Sequence, residues 1–310
     1  MLRLIAVGDV ALDSPREGNP LHGIAGILGS GTVVFANLET ALSDREDATP
    51  AEKHYLFRAP ASSAAFLAEA GINVVSLANN HILDYGADCL LDTVRALDRH
   101  GIAHVGAGRT YGDALAPASL EWEGVRFGFL GFASCGDAPP AIQGRSASVA
   151  RDDTGTILAC VGELRRNVDI VAVSLHWGIE GARWPLPEQQ ALGRAIVDAG
   201  AQLVLGHGPH VVQGIEEYRG AHIVYSLGNC QITCRPGSET ARGLVACFEP
   251  DGPALRCTPI PIELDHDHRP QALPIREREA FLRGLSQLSR RVTAGLAAGF
   301  VMEEIGWAYI

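Results

Sequence analysis

Six side chains in this sequence combine the right types and spacing to hold a metal: Asp9, Glu39, Asn80, His176, His207 and His210. A mixture of carboxylate, amide and imidazole donors without a thiolate suits hard or borderline divalent ions, and argues against a structural zinc. One or two ions of Mn, Zn, Fe or Ca are therefore expected. Two ions a few ångströms apart need a carboxylate that bridges them, and Glu39 is the candidate; such pairs lower the pKa of a bound water and clamp both oxygens of a displacement. His81 follows Asn80 directly, and His207 can serve as ligand or as base.

Each residue taken alone has a plain structural explanation. An Asp after Gly is a turn residue, an Asn caps a turn, and a buried His is a hydrogen-bonded packing group. The joint pattern is harder to explain this way, because the ligand-type residues follow five separate apolar runs. Asp9 follows Leu2–Val7, Asn37 and Glu39 follow Thr32–Ala36, Asn80 and His81 follow Asn73–Leu77, His176 follows Ile170–Leu175, and His207 and His210 follow Leu203–Leu205. The carboxyl ends of strands are where open α/β sheets place their sites.

Apolar runs alternate with helical patterns along the chain. A helix is expected from Ser62/Ser63, whose hydroxyls can cap it, to Gly71; others span Cys89–Arg99, residues 154–166 and residues 187–199, the last ending at Gly200. Strands are expected at 118–122 and 125–132, then antiparallel ones at Val211–Tyr218, Ala221–Leu227 and Gly243–Glu249, and an amphipathic helix at 276–296. No linker-like shift in composition divides the chain, so one α/β domain over 1–310 is expected, with a helical extension at about 270–310.

Thirty-six acidic against 25 basic residues give a net charge of −11 without a basic block, which disfavours a nucleic-acid partner. The opening MLRLIAVGDVALD reads as a strand and not as a signal peptide, and no apolar stretch is long enough to span a bilayer, so a soluble cytoplasmic protein without membrane contact is expected. The seven cysteines, Cys135 included, form no C-x-x-C pair and fit reduced thiols; Cys230 and Cys234 are too sparse for a thiolate metal site.

The strings GDVALD (8–13), ANLET (36–40), SLANNHILDYG (76–86), LHWGIE (175–180), GHGPHVVQGIEEYRG (206–220) and YSLGNC (225–230) resemble the poly-γ-glutamate capsule-biosynthesis CapA family of the calcineurin-like metallophosphoesterase superfamily. The resemblance covers about residues 4–230 and implies a four-layer α/β/β/α sandwich of the metallo-dependent phosphatase type. It also implies roles: Asp9 on a first metal, Glu39 bridging, Asn80 and His176 on a second, and His81 as the unligated acid/base. Two departures stand out. The usual Asp-x-His opening is Asp9-Val10-Ala11, and the usual Gly-His-x-His ending is Gly206-His207-Gly208-Pro209-His210. Rigid Pro209 is expected to fix the direction of His210, and the flanking glycines to leave the backbone at His207 free.

Three functions are compatible with this pattern. The first is hydrolysis of an amide or ester in a peptide or γ-glutamyl substrate, with His81 protonating the leaving group. The second is peptide epimerisation, in which His81 and one of His207/His210 remove and return a Cα proton. The third is a non-catalytic metal-binding component of polyglutamate synthesis, which the lack of an anchor disfavours. Lys53 and Arg58, in a K-x-Y-x-F-R segment shared with CapA-like proteins, are candidates to bind a substrate carboxylate or else solvated loop charges. Trp177 and Glu180 are candidates to line the pocket, with core packing the alternative for Trp177. Asp265-His266-Asp267-His268 reads as an exposed polar turn.

Overall fold

The computed structural model describes residues 2–13, 18–134, 147–252 and 254–295. Its frame is two large sheets. The first has eight strands, in the order Pro270–Ala272, Ala254–Leu264, Arg242–Asp251, Leu4–Val10, Val33–Leu38, Val74–Ser76 and Ala103–Val105, with Asn229–Gln231 also pairing to Leu4–Val10. The second has six: Ile215–Tyr218, Ala221–Val224, Leu203–His207, Ile170–His176, Val125–Ala133 and Ala118–Trp122. The site-bearing strands Leu4–Val10, Val33–Leu38 and Val74–Ser76 run parallel to one another, as do Ile170–His176 and Leu203–His207, so their carboxyl ends gather along one edge.

The continuous apolar runs of the sequence are explained by burial on both faces, and the two-residue period of a strand sorts them. Leu4, Ala6, Val33 and Phe35 of the first sheet pack against Phe127, Phe129, Ala172, Leu203 and Leu205 of the second. Phe35 and Phe129 stack at 5.7 Å between ring centres in the middle of this layer. The alternate residues Ile5, Val7, Val34 and Ala36 face outward to Leu67, Leu90 and Leu97 of helices Ala64–Glu69 and Gly86–Arg99. On the far side Leu130, Val171, Val173 and Val204 meet Ile157, Val161 and Ile196 of helices Thr154–Leu164 and Pro187–Ala199. This is the four-layer α/β/β/α sandwich. Helix Ile275–Thr293 packs against strands Ile215–Tyr218 and Ala254–Leu264, contributing Leu285 to the inter-sheet core and Val292 to the outer one.

Several boundaries differ from the sequence reading. The strands carrying Asp9, Asn37, His176 and His207 run through those residues instead of stopping before them, because backbone pairing continues where the apolar run ends. Ser62 and Ser63 lie in a 3-10 turn, and no hydroxyl caps the Ala64–Glu69 helix. The strand expected at Val211–Tyr218 is regular only from Ile215. Strands Ala254–Leu264 and Pro270–Ala272 went unrecognised, their alternation broken by Pro259 and Pro261. Residues 296–310 of the expected extension, and Cys135, lie outside the described residues. The other six cysteines are unpaired. Among the described residues no helix is long and apolar enough to cross a membrane.

Candidate metal centre

The site is assembled from both sheets. Asp9 stands in register with Asn37 on one side and Asn229 on the other, and His176 with His207 in the facing sheet. Two glycines allow the close approach. A Cβ at Gly8 would lie 1.8 Å from the Gly228 carbonyl oxygen, and one at Gly206 would lie 2.0 Å from that of Tyr225. The register shift between Ala6 and Asp9 marks a local irregularity of the kind that re-aims a side chain.

Asp9 is fully buried and the most heavily bonded group. Its Oδ1 accepts from Asn37 Nδ2 at 2.8 Å and lies 3.1 Å from His207 Nδ1; its Oδ2 accepts from the Gly208 amide at 3.3 Å and lies 3.2 Å from His210 Nδ1. Burial alone would raise its pKa, but hydrogen bonds from His207 and His210 hold it well below the usual carboxylate range. Glu39 is the reverse case. Burial, and next the negative charge of Asp9, push it well above the usual range, and neither of its oxygens has a partner. His176 Nε2 is 3.5 Å and His210 Nε2 3.8 Å from Glu39 Oε1. Burial holds His176 down at about 3, so this imidazole is neutral, the form a metal ligand needs. At His210 burial works against the charge, but the carboxylates of Glu39 and Asp9 prevail and lift it to about 10.

Asn80 and His81 are presented by a turn that Asn79 organises. Asn79 Oδ1 accepts from the amides of His81 (3.1 Å) and Ile82 (2.9 Å), while its Nδ2 donates to the Leu38 carbonyl at 2.8 Å and to Asn37 Oδ1 at 3.2 Å. His81 Nδ1 is 2.6 Å from Asp84 Oδ2, which also accepts from the Phe57 amide at 2.9 Å. Lys53 Nζ bonds the Asn80 carbonyl and pairs with Asp84 Oδ1 at 3.1 Å.

The donor set fits a divalent ion. Four buried polar atoms without a partner belong to it: Glu39 Oε1 and Oε2, Asn80 Oδ1 and His207 Nε2. Buried polar atoms are almost always paired, so four orphans in one cluster call for a ligand. Among the described residues Asp9, Glu39 and His210 also each offer a ligand atom within 4.8 Å of the others.

Residues 3–232 match the family described as bacterial capsule synthesis protein PGA_cap. The chain belongs to this PGA_cap family. It is 36% identical over 192 residues to the capsule biosynthesis protein CapA of Bacillus anthracis, covering 61% of this chain and 47% of that one. It is 33% identical over 197 residues to the PGA biosynthesis protein CapA of Bacillus subtilis strain 168, covering 63% and 52%. The chain thus spans about half the length of these curated relatives. Among solved structures a hypothetical protein from Thermus thermophilus matches with a TM-score of 0.56 at 19% identity, over 84% of this chain and 99% of that one. A 5'-nucleotidase precursor from the same organism matches with 0.55 at 13% identity, over 92% and 58%. These likenesses show the fold, the metallophosphoesterase type expected from the motifs.

In this PGA_cap chain Asp9, Glu39, His176, His207 and His210 are brought together, with Asn80 and His81 beside them. The free backbone expected at His207 is not found. His207 is held inside a strand, fully buried, and it is His210, after Pro209, that takes the left-handed conformation, at φ +58°. Trp177 is corrected to a core residue: its indole is 3% exposed, stacks on Tyr225 and donates to the Tyr225 carbonyl at 2.9 Å. Glu180 is exposed, and its charge contributes to the raised pKa of Glu39. Lys53 is turned to Asp84 and the Asn80 carbonyl; Arg58 stacks on Tyr85 at 4.4 Å and donates to the Arg45 carbonyl at 2.7 Å. Cys230 is buried in the first core and Cys234 packs on a separate small cluster. The Asp265–His268 segment is a turn, with the Asp265 carboxylate accepting from the amides of Asp267 and Arg269.

Three residues of the site were not singled out from the sequence: Asn79, Asp84 and Asn229. Asn229 Oδ1 lies 2.9 Å from His210 Nδ1 and its Nδ2 donates to the Thr240 carbonyl at 2.8 Å. All three sit inside the recognised strings, so position was the available signal.

Proposed function

We propose that this chain is a metal-dependent hydrolase that cleaves an amide bond in a peptide or γ-glutamyl substrate. The observation that carries the reading is the cluster of orphaned atoms on Glu39, Asn80 and His207 beside Asp9, His176 and His210. These six residues would hold one or two divalent ions, with Glu39, whose two oxygens are both unpartnered, as the bridge. A metal so held supplies Lewis acidity toward a carbonyl and lowers the pKa of a water.

The chain's own residues supply the proton chemistry. With Nδ1 facing the Asp84 carboxylate, the His81 ring has its proton there and presents Nε2 as the working atom. Asp84 stabilises the imidazolium that forms when Nε2 takes a proton and steadies it until the leaving nitrogen receives that proton. Lys53 and the Phe57 amide fix Asp84 in turn. The substrate class rests on the family and on relatives named for capsule and PGA biosynthesis.

The test is to incubate the manganese-loaded protein with γ-glutamyl and α-linked oligopeptides in deuterium oxide and to follow them by mass spectrometry. Hydrolysis gives two fragments, and chelation abolishes them. Uptake of one deuterium at Cα without cleavage replaces this reading by epimerisation. No change in any peptide replaces it by the non-catalytic role.

A further inference from the structure

A second cavity, of about 360 Å³, lies where helix Ile275–Thr293 meets the segments that follow the metal centre in the chain. Its floor is apolar, formed by Val211, Val212, Phe281, Leu285 and Leu288. Three guanidinium groups, from Arg183, Arg242 and Arg291, line it together with the carboxylate of Glu239, and Glu263 pairs with Arg242 from beside it. Arg183 and Arg242 pair with Glu239 and Glu263 at 3.4 and 3.7 Å and keep 58% and 45% of their side chains exposed. An apolar chamber of this size with a few convergent polar groups is the usual form of a small-ligand site.

We propose that this cavity binds a carboxylate carried on an apolar body, with the body on the Phe281–Leu285–Leu288 face and the carboxylate among the arginines. Guanidinium groups suit this task because they bind carboxylates through paired, charge-assisted hydrogen bonds. The cavity is continuous with the metal centre along the chain. Val211 and Val212 follow His210 directly, and Glu239 precedes Thr240, whose carbonyl holds Asn229 against His210. A peptide with a bulky apolar last residue has this chemistry, and its use as an anchor for substrate rests on the reading given above; a free aromatic acid has it too.

The structure supplies a clean blocking variant. Gly284 lines the cavity on the helix, and a Cβ placed there meets nothing within 4 Å, so Gly284→Leu adds an apolar side chain at the cavity without a clash at its Cβ. Binding to the manganese-loaded protein is measured calorimetrically with N-acetyl-phenylalanine, its C-terminal amide, and acetyl-Gly-Gly-Phe. Both acids are expected to bind at least about 10-fold more tightly than the amide, with Arg242→Gln and Arg291→Gln each removing most of that preference. Gly284→Leu is expected to abolish binding while manganese affinity stays at the wild-type value. Tighter binding of the tripeptide identifies a peptide terminus as the ligand, and equal binding of the two acids a free acid. Equal binding of acid and amide, or unaltered binding in Gly284→Leu, overturns the proposal. Because the measurement reads binding and not turnover, the site can stand if the hydrolase reading fails, and the reverse.

Discussion

Glu39 and Glu216 are carboxylates withdrawn from water to the same degree, 0% and 1% exposed, and their surroundings treat them in opposite ways. Glu216 is saturated: Arg194 donates to Oε1 at 2.7 and 3.0 Å, and the Tyr225 hydroxyl to Oε2 at 2.6 Å. Glu39 has no donor on either oxygen. One network is complete without any other molecule and serves the fold, and the other leaves both carboxylate oxygens without a hydrogen-bond partner, as the proposed cation site requires. Buried charge by itself therefore says little about function; the unsatisfied remainder does.

Exchanging the two roles gives the largest effect. Glu39→Gln should lower metal content by orders of magnitude in elemental analysis, yet leave the metal-free protein as stable as wild type or more so, since an unpaired buried carboxylate is removed. Glu216→Ala should do the opposite. Losing it strands Arg194 and Tyr225 at a cost on the order of 3 kcal/mol in denaturant unfolding, with metal affinity retained. A stable Glu216→Ala variant that has lost its metal would merge the two regions.

The two carboxylates of the centre also predict a pH dependence. Glu39 is raised, so in the metal-free protein its contribution to stability is present at low pH and is lost as pH rises through its elevated pKa. Asp9 is lowered, so its contribution is present above the usual carboxylate range and is lost only in strong acid. Metal binding must displace protons from Glu39 and from His210, which is raised to about 10. Affinity should therefore climb with pH between mildly acid and alkaline solution. Titrations in buffers of different ionisation enthalpy should show proton release, and a pH-independent affinity would contradict the electrostatics of the centre.

How much of this was legible beforehand follows the same contrast. Asp9, Glu39, Asn80, His176, His207 and His210 were readable because a ligand-type residue after an apolar run is a local signal. Asn229 and Asp84 were not, since their importance lies in what they touch, His210 and His81, and those contacts are fixed only by the packing of two sheets and a turn. Mixed sheets with helices outside were readable from the alternating runs, and the four layers from the family resemblance, whereas Ala254–Leu264, with Pro259 and Pro261, lacked a clean strand period. The left-handed backbone at His210 was hidden for a further reason: neighbouring residue types favour several turns, and the one adopted is the one that wraps Gly208 and His210 around the Asp9 carboxylate.

A smaller effect separates support from contact. Lys53→Met removes the bond to the Asn80 carbonyl and the partner of Asp84, so metal affinity should fall about 10-fold, as is usual when a ligand's support is lost. Arginine at position 53 should restore part of it. Smallest is Tyr225→Phe, which leaves one Glu216 oxygen unpaired, with an expected cost of about 1–3 kcal/mol and no change in metal affinity. Chemical denaturation and manganese titration of both variants check this order.

The central claim is that the orphaned atoms of Glu39, Asn80 and His207 mark a metal site shared with Asp9, His176 and His210. Its most direct test is an anomalous-scattering map from crystals of the protein soaked in manganese. A peak within about 2.0–2.3 Å of oxygen or nitrogen atoms of these residues, Glu39 among them, is the predicted result. A map with its peaks only elsewhere, and Glu39 still without a partner, would contradict the account.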